Sequence, residues 1–310
     1  MPIPETSFTG KTVIVTGSNT GLGKEAARHC ARLGASTLII GVRNVEKGEA
    51  AKADIIATTK RPVDSVQVWQ VDMASYASVQ RFAKRVHAEL DRVDIFLANA
   101  GVARSQYELV EGDERSLVVN CISTLLLTAL VLPKMKDTAA RFGTRPVLTL
   151  VNSSAHGMTK FSQKDAPEGQ ILATVSATNN PGKDPYAISK LLQLLAVRAI
   201  AEEHPAPAYP VTINTACPGL CHSELSRDAN SLILDLVMFL LARSAEEGSR
   251  TLVHATVQGP DTHGQFLSNC EIGFPSPFVL SPEGSKAQDR VWKELVAKLE
   301  TIQPGVTKNF

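Results

Sequence analysis

Lys11-Thr12-Val13-Ile14-Val15-Thr16-Gly17-Ser18-Asn19-Thr20-Gly21-Leu22-Gly23 is the stretch on which the fold turns. After Lys11, its first five residues are apolar or β-branched, the composition of a strand buried on both faces. Gly17 ends that run, and the spacing predicts a helix over Thr20–Leu33, stopped by Gly34. Three glycines at G-x-x-x-G-x-G therefore sit where a strand passes into a helix. Glycine permits a sharp turn and lets a phosphate approach without meeting a Cβ. The helix start adds free N–H groups and the positive end of a dipole. In that context the pattern points to a bound dinucleotide, with Gly17, Ser18, Asn19, Thr20, Gly21, Leu22 and Gly23 around its diphosphate.

Outward from this stretch, short β-rich runs alternate with helical ones. Strands are expected at Thr37–Val42, Gln67–Val71, Val93–Ala98, Pro146–Val151 and Val211–Ala216. Helices are expected near Ser75–Leu90, Asp113–Leu132, Pro185–Glu203 and Ser281–Thr301. Near-continuous apolar strands joined by helices predict a doubly wound, Rossmann-like parallel sheet in one α/β domain over residues 1–310. An α/β barrel also alternates, but it gives no reason for the glycines after the first strand. Two regions break the alternation. Residues 155–184 show no period and read as a long loop shaping a substrate pocket. Residues 222–245 hold an apolar helix at Ser231–Ala242, which reads either as plain core packing or as a flap over a lipophilic substrate.

Composition fits an ordinary soluble globular protein. Lys and Arg number 32 against 31 Asp and Glu, and no long basic run occurs, so nucleic acid is not an expected partner. The five cysteines are scattered and odd in number, a poor disulfide framework, and no Cys/His spacing suggests a metal. The N-terminus lacks a basic n-region and an apolar h-region, and Ser231–Ala242 is too short to span a bilayer. The expected setting is the cytoplasm, without a transmembrane segment.

The end of the second strand bears on the cofactor. A site for NAD(H) places an acidic residue there for the ribose 2′-hydroxyl. Here the run is Gly41-Val42-Arg43-Asn44, and Arg43 can pair with a 2′-phosphate, so NADP(H) is preferred. Lys24 and Ser18 are placed to assist. Asp72, closing the third strand, can accept from the adenine amine, with Met73 beside it.

The chemistry sits in Tyr186-Ala187-Ile188-Ser189-Lys190. Asp184-Pro185 predicts a helix start, which puts Tyr186 and Lys190 on one face a turn apart. A phenol titrates too high for acid–base work at neutral pH, and a nearby ammonium lowers it. Thr16-Gly17 with Gly21 and Gly23, Asn99-Ala100-Gly101, Asn120, Asn152-Ser153-Ser154, Tyr186 with Lys190, and Pro218-Gly219 occur in that order. Together they resemble the short-chain dehydrogenase/reductase family. Gly41–Gly48 and Pro275–Gly284 are similar to its retinol-dehydrogenase-like branch, and Pro218–Leu225 to fungal members, many of them in secondary metabolism.

The resemblance implies a catalytic set. Tyr186 exchanges the proton, Lys190 holds the nicotinamide ribose, Ser154 rather than Ser153 polarises the substrate oxygen, and Asn120 holds a water that links Lys190 to solvent. Asn99, Ala100 and Gly101 line the ribose side. Pro218, Gly219 and Leu220 contact the nicotinamide, with Ser223 near its carboxamide or phosphate. His156 and His222 are expected at the pocket wall, where either could orient a small-molecule substrate. The resemblance also implies a homodimer. The expected reaction is NADPH-dependent reduction of a ketone or aldehyde. The alternatives are alcohol oxidation by the same groups, or a non-catalytic NADP-binding scaffold, which has no need of Tyr186 and Lys190 together.

Overall fold

The computed structural model describes residues 1–103, 106–177, 184–221 and 242–310. Seven parallel strands lie side by side. In spatial order they are β3 (Val66–Gln70), β2 (Thr37–Val42), β1 (Thr12–Thr16), β4 (Ile95–Ala98), β7 (Val147–Val151), β8 (Thr212–Cys217) and β9 (Phe266–Ser268). β10 (Glu271–Ile272) turns back antiparallel on β9, and β5 (Leu109–Val110) pairs with β6 (Asp113–Glu114) in a separate hairpin. The chain winds outward one way from β1 to β3 and the other way from β4 to β9. That reversal opens a crevice at the carboxyl ends of β1 and β4, the place where such sheets hold ligands.

Alternation along β1 shows why its strand is apolar throughout. Val13 and Val15 belong to one core, Ile14 to the other. The first core is roofed by α1 (Gly21–Arg32) and by α8 (Ala245–Ala255), which pack on each other. The second lies under α3 (Tyr76–Glu89), α5 (Ser123–Phe142) and α7 (Pro185–Glu203), with α9 (Pro282–Ile302) laid on α7. The doubly wound sheet is therefore as expected, and the barrel is not.

Four elements differ from the sequence reading. α2 (Val45–Thr59), capped by Asn44 on Lys47 N–H, was not anticipated. Neither was the helix α8. The expected helix Asp113–Leu132 is longer: α4 (Arg115–Leu117), a π-helical turn at Val118–Ile122 and α5 form one continuous helix, Arg115–Phe142. Among the described residues, that helix is long and apolar enough to cross a membrane, but 89% of its apolar window is buried, as in a core helix. The loop expected over 155–184 has structure of its own: 3₁₀ turns at Ser154–Gly157 and Ser162–Asp165, and α6 (Ile171–Val175). Glu294 of α9 accepts from Ile171 and Leu172 N–H at 3.0 Å each, supplying the cap that α6 lacks. Arg290 donates to Ala166 O at 2.6 Å. The flap expected over 222–245 lies outside the described residues up to 241.

Candidate active site

The glycine turn is held from two sides. Gly17 N–H donates to Gly41 O at 2.8 Å, and Asn99 Nδ2 donates to Thr16 O and Gly17 O at 2.9 and 3.1 Å. Thr16 Oγ1 accepts from the N–H groups of Asn99 and Ala100, both at 3.1 Å. A Cβ on Gly23 would stand 2.3 Å from Asn99 Nδ2 and 2.4 Å from Gly17 O, so this position admits no side chain. Asn99 therefore fastens the loop from β4 rather than offering its amide to a ligand.

The start of α1 fits a dinucleotide. α2, α3, α7, α8 and α9 are each capped by a side chain, from Asn44, Ser75, Asp184, Ser244 and Ser281. Thr20 makes no such bond at α1, and no acidic residue stands in its first turn. Nothing lies within 4 Å of the place where a Cβ on Gly21 would point. The first amides of α1 thus carry no side-chain cap and have the positive end of the helix behind them, the setting a diphosphate requires.

Around this start the expected contacts divide. Arg43 is exposed at the end of β2, and its guanidinium has no partner among the described residues. Lys24 is taken by Asp54 at 2.7 Å, and Ser18 Oγ is buried and donates to Val15 O at 2.8 Å. Both are therefore less available than expected. Asp72 accepts from Ala74 N–H at 2.9 Å in a local turn, Met73 is buried, and Ser75 caps α3.

At the other end of the crevice, Asp184 Oδ1 accepts from Ala187 N–H at 2.9 Å and Pro185 takes the first helical position. Lys190 is 4% exposed, with Nζ donating to Val151 O at 2.7 Å and standing 6.0 Å from the centre of the Tyr186 ring. Burial pushes the ammonium down to about 8. The Tyr186 phenol moves the opposite way. Burial pushes it up, and a hydrogen bond with Ser153 pulls against that. Burial is the larger influence on the phenol, and the Lys190 ammonium donates to the Val151 carbonyl.

Three expectations need correction. Ser153, not Ser154, meets Tyr186, while Ser154 is exposed at the start of a 3₁₀ turn. β7 ends at Val151, so residue alternation no longer sends these two serines where the strand would have. The Asn120 side chain, which shares the surroundings of Gly101 with Lys190, is already bonded to protein groups. Its Oδ1 accepts from Val102 N–H at 2.8 Å, and its Nδ2 donates to Val102 O and Ser189 Oγ at 2.8 and 2.9 Å. His156 does not point at a substrate. It is buried, with Nδ1 donating to Ser153 O at 2.7 Å and Nε2 accepting from Ser276 N–H at 2.9 Å. Both ring nitrogens are spent, and burial keeps the imidazole neutral.

Two residues left without a role by the sequence reading, Gln193 and the motif residue Asn152, complete the arrangement. Gln193 Nε2 donates to Asn120 O at 2.7 Å, and its Oε1 accepts from Asn152 Nδ2 at 2.9 Å. Asn152 also donates to Lys190 O at 2.9 Å and accepts from Ser153 N–H at 2.8 Å. A buried amide chain thus joins the π-helical turn, α7 and the end of β7. The signal for Gln193 was a polar residue inside the otherwise apolar run Leu191–Val197, one turn beyond Lys190. Pro218 and Gly219 follow β8, Leu220 is exposed, and Ser223 and His222 lie outside the described residues.

A doubly wound sheet that offers an open helix start to a diphosphate, and a phenol, a hydroxyl and an ammonium further along the same edge, belongs to the class of dinucleotide-dependent oxidoreductases. Relatives narrow the class. The chain matches the short chain dehydrogenase family over residues 11–144. It is 58% identical over 313 residues to the short chain dehydrogenase/reductase dmxR8 of Cryptosporiopsis sp., covering 100% of this chain and 97% of that one. It is 41% identical to the short-chain dehydrogenase/reductase ffsI of Aspergillus flavipes, over 98% of this chain and 90% of the relative. The chain belongs to the short-chain dehydrogenase/reductase family, oxidoreductases that use a nicotinamide cofactor to interconvert CH–OH and C=O. Solved structures share the fold at lower identity. The Pseudomonas aeruginosa RhlG complex with NADP has a TM-score of 0.65 at 21% identity, over 85% of this chain and 96% of that one. A 3-ketoacyl-(acyl-carrier-protein) reductase from Brucella melitensis, complexed with NADH, has 0.63 at 21%, over 85% and 98%.

Proposed function

We propose that this chain reduces a ketone or aldehyde of a lipophilic, polyketide-like small molecule with NADPH, Tyr186 giving the proton. The observation that carries this reading is the hydrogen bond between Ser153 and the Tyr186 phenol beside the buried Lys190. Bound NADPH supplies the hydride. The chain's residues orient and polarise. A phenol pushed up by burial keeps its proton at neutral pH, which suits donation to a carbonyl oxygen. Ser153 is placed to donate to the same oxygen and to stabilise charge growing there. Lys190 brings a cation to the ribose side that Asn99, Ala100 and Gly101 border. Pro218, Gly219 and Leu220 border the nicotinamide.

Preference for NADP(H) over NAD(H) rests on Arg43, exposed and unpaired among the described residues where an NAD site carries a carboxylate. The lipophilic substrate is drawn from the apolar run Ser231–Ala242 and the fungal relatives. Alcohol oxidation by the same groups needs the phenolate, which burial of Tyr186 disfavours. One catalytic domain over 1–310, a cytoplasmic setting and a homodimer complete the proposal.

The test offers purified protein NADPH or NADH with a panel of aldehydes, ketones and quinones, following cofactor oxidation and product. Faster turnover with NADPH on lipophilic carbonyls is expected, and Arg43→Asp should reverse the cofactor preference by about tenfold or more, as loss of a bidentate charged pair implies. Unchanged preference in Arg43→Asp removes the 2′-phosphate role. Tight NADPH binding without turnover on any carbonyl favours the scaffold.

A further inference from the structure

Beyond β8 the chain turns at Gly219, at φ +79°, and a parallel bridge then joins Cys221 to Arg243. Arg243 N–H donates to Leu220 O at 2.9 Å, which brings its side chain back over the turn. Nη1 of Arg243 lies 2.8 Å from where a Cβ on Gly219 would stand. The same nitrogen donates to Pro218 O at 3.4 Å, a long bond and the only side-chain bond of this arginine among the described residues. A guanidinium has five N–H donors. Here it is half-buried and pairs with no carboxylate among the described residues. A partly desolvated cation with most donors unspent calls for an anion.

The surroundings say which anion. On one side, Pro218 and Gly219 follow β8 directly, next to the end of β7 that carries Ser153. On the other, Gly248 of α8 touches both Cys221 and Leu22. A Cβ there would stand 2.3 Å from Cys221 Sγ and 2.9 Å from Leu22 Cδ2. Leu22 belongs to the first turn of α1, whose amides no side chain caps. Arg243 therefore lies between the hydride-transfer end of the crevice and the glycine turn, the stretch that the diphosphate of a dinucleotide bridges.

We infer that Arg243 is a cofactor-binding residue that pairs with this diphosphate, the part shared by NADP(H) and NAD(H). The inference rests on the reading that a nicotinamide dinucleotide occupies the glycine turn. It divides the labour between two arginines: Arg43 selects the cofactor, and Arg243 holds either one.

Equilibrium binding tests it without turnover. NADPH, NADH, ADP-ribose and adenosine 2′-monophosphate are titrated into wild type, Arg243→Met, Arg243→Lys and Arg43→Asp, with melting curves to check folding. Arg243→Met should weaken NADPH, NADH and ADP-ribose by a similar factor of ~10–100, the range of a lost charge-assisted hydrogen bond. Arg243→Lys should recover part of that loss. Adenosine 2′-monophosphate, which has no diphosphate, should bind Arg243→Met as it binds wild type. Arg43→Asp should weaken NADPH and spare ADP-ribose. Unchanged ADP-ribose affinity in a folded Arg243→Met overturns the inference, as does an equal loss for adenosine 2′-monophosphate. Failure of wild type to bind any of the four overturns the cofactor reading beneath it.

Discussion

At the scale of single residues, burial pulls Tyr186 and Lys190 in opposite directions and sets the pH behaviour. Lys190 is lowered to about 8, so reduction should hold level near neutrality and fall as pH rises through about 8 and the ammonium is lost. A pH–rate profile checks this, and Lys190→Met should remove that limb with the activity. The same shift bears on stability. Because the folded value lies below the unfolded 10.5, the unfolded chain binds more protons between about pH 8 and 10.5, and stability rises with pH across that window. Near pH 7 the buried charge costs roughly 3 kcal/mol. Lys190→Met recovers that but strips Val151 O of its donor, at ~1–3 kcal/mol. The inactive variant should therefore be as stable as wild type or up to about 2 kcal/mol more so near neutrality, with its advantage shrinking toward pH 10; denaturant melts at two pH values decide it. Ser153→Ala should lower kcat ~100-fold or more while Ser154→Ala stays within a few-fold, reading the loss of one oxyanion donor. Tyr186, Lys190 and the glycines were legible because local spacing alone places them. The serine was not. Which of two adjacent hydroxyls faces the phenol depends on where β7 stops, a matter of one residue. His156 was misread for a related reason: a polar residue beside a site looks available until its partners, here Ser153 O and Ser276 N–H, are known.

Among the elements, the interior strands were easiest to read, since burial on both faces leaves an unbroken apolar run that ends at a turn residue. α2 was harder. Only Gly48, Ala51 and Ile55 of it are buried, too thin a stripe to announce a helix, although Asn44 gave its cap. The π-helical turn at Val118–Ile122 was invisible, because it follows from what Asn120 bonds rather than from any pattern of apolar residues. That turn, α7 and the end of β7 are tied by Asn120, Gln193 and Asn152, each at most 2% exposed. Gln193→Leu should leave Asn120 O and one Asn152 donor unpaired and cost on the order of 2–4 kcal/mol, measured by urea unfolding. A loss below about 0.5 kcal/mol would mean that water replaces the amide without penalty. α9 extends the same logic to the loop after β7, since Glu294 caps α6 and Arg290 holds Ala166. The loop was read as structureless because its order is borrowed from a helix more than a hundred residues away.

For the molecule as a whole, the reversal of strand order between β1 and β4 puts the cofactor half and the chemistry half on one edge, with Arg43 at one end and Tyr186 toward the other. The alternating pattern made that architecture legible in advance, whereas strand neighbours and the placing of α9 over α7 arise only from long-range packing. That placing also bears on assembly. A homodimer must pair through surfaces other than the outer face of α7 that α9 covers, and light scattering should return the mass of two chains. On the proposed reading, this edge carries out hydride transfer with Tyr186 as the acid. Single-turnover reduction of a carbonyl substrate by bound NADPH, comparing wild type with Tyr186→Phe at equal NADPH saturation, tests it most directly. The variant should bind NADPH as wild type does and transfer hydride at least ~100-fold more slowly, the scale of a lost general acid. Hydride transfer at the wild-type rate by Tyr186→Phe would contradict it.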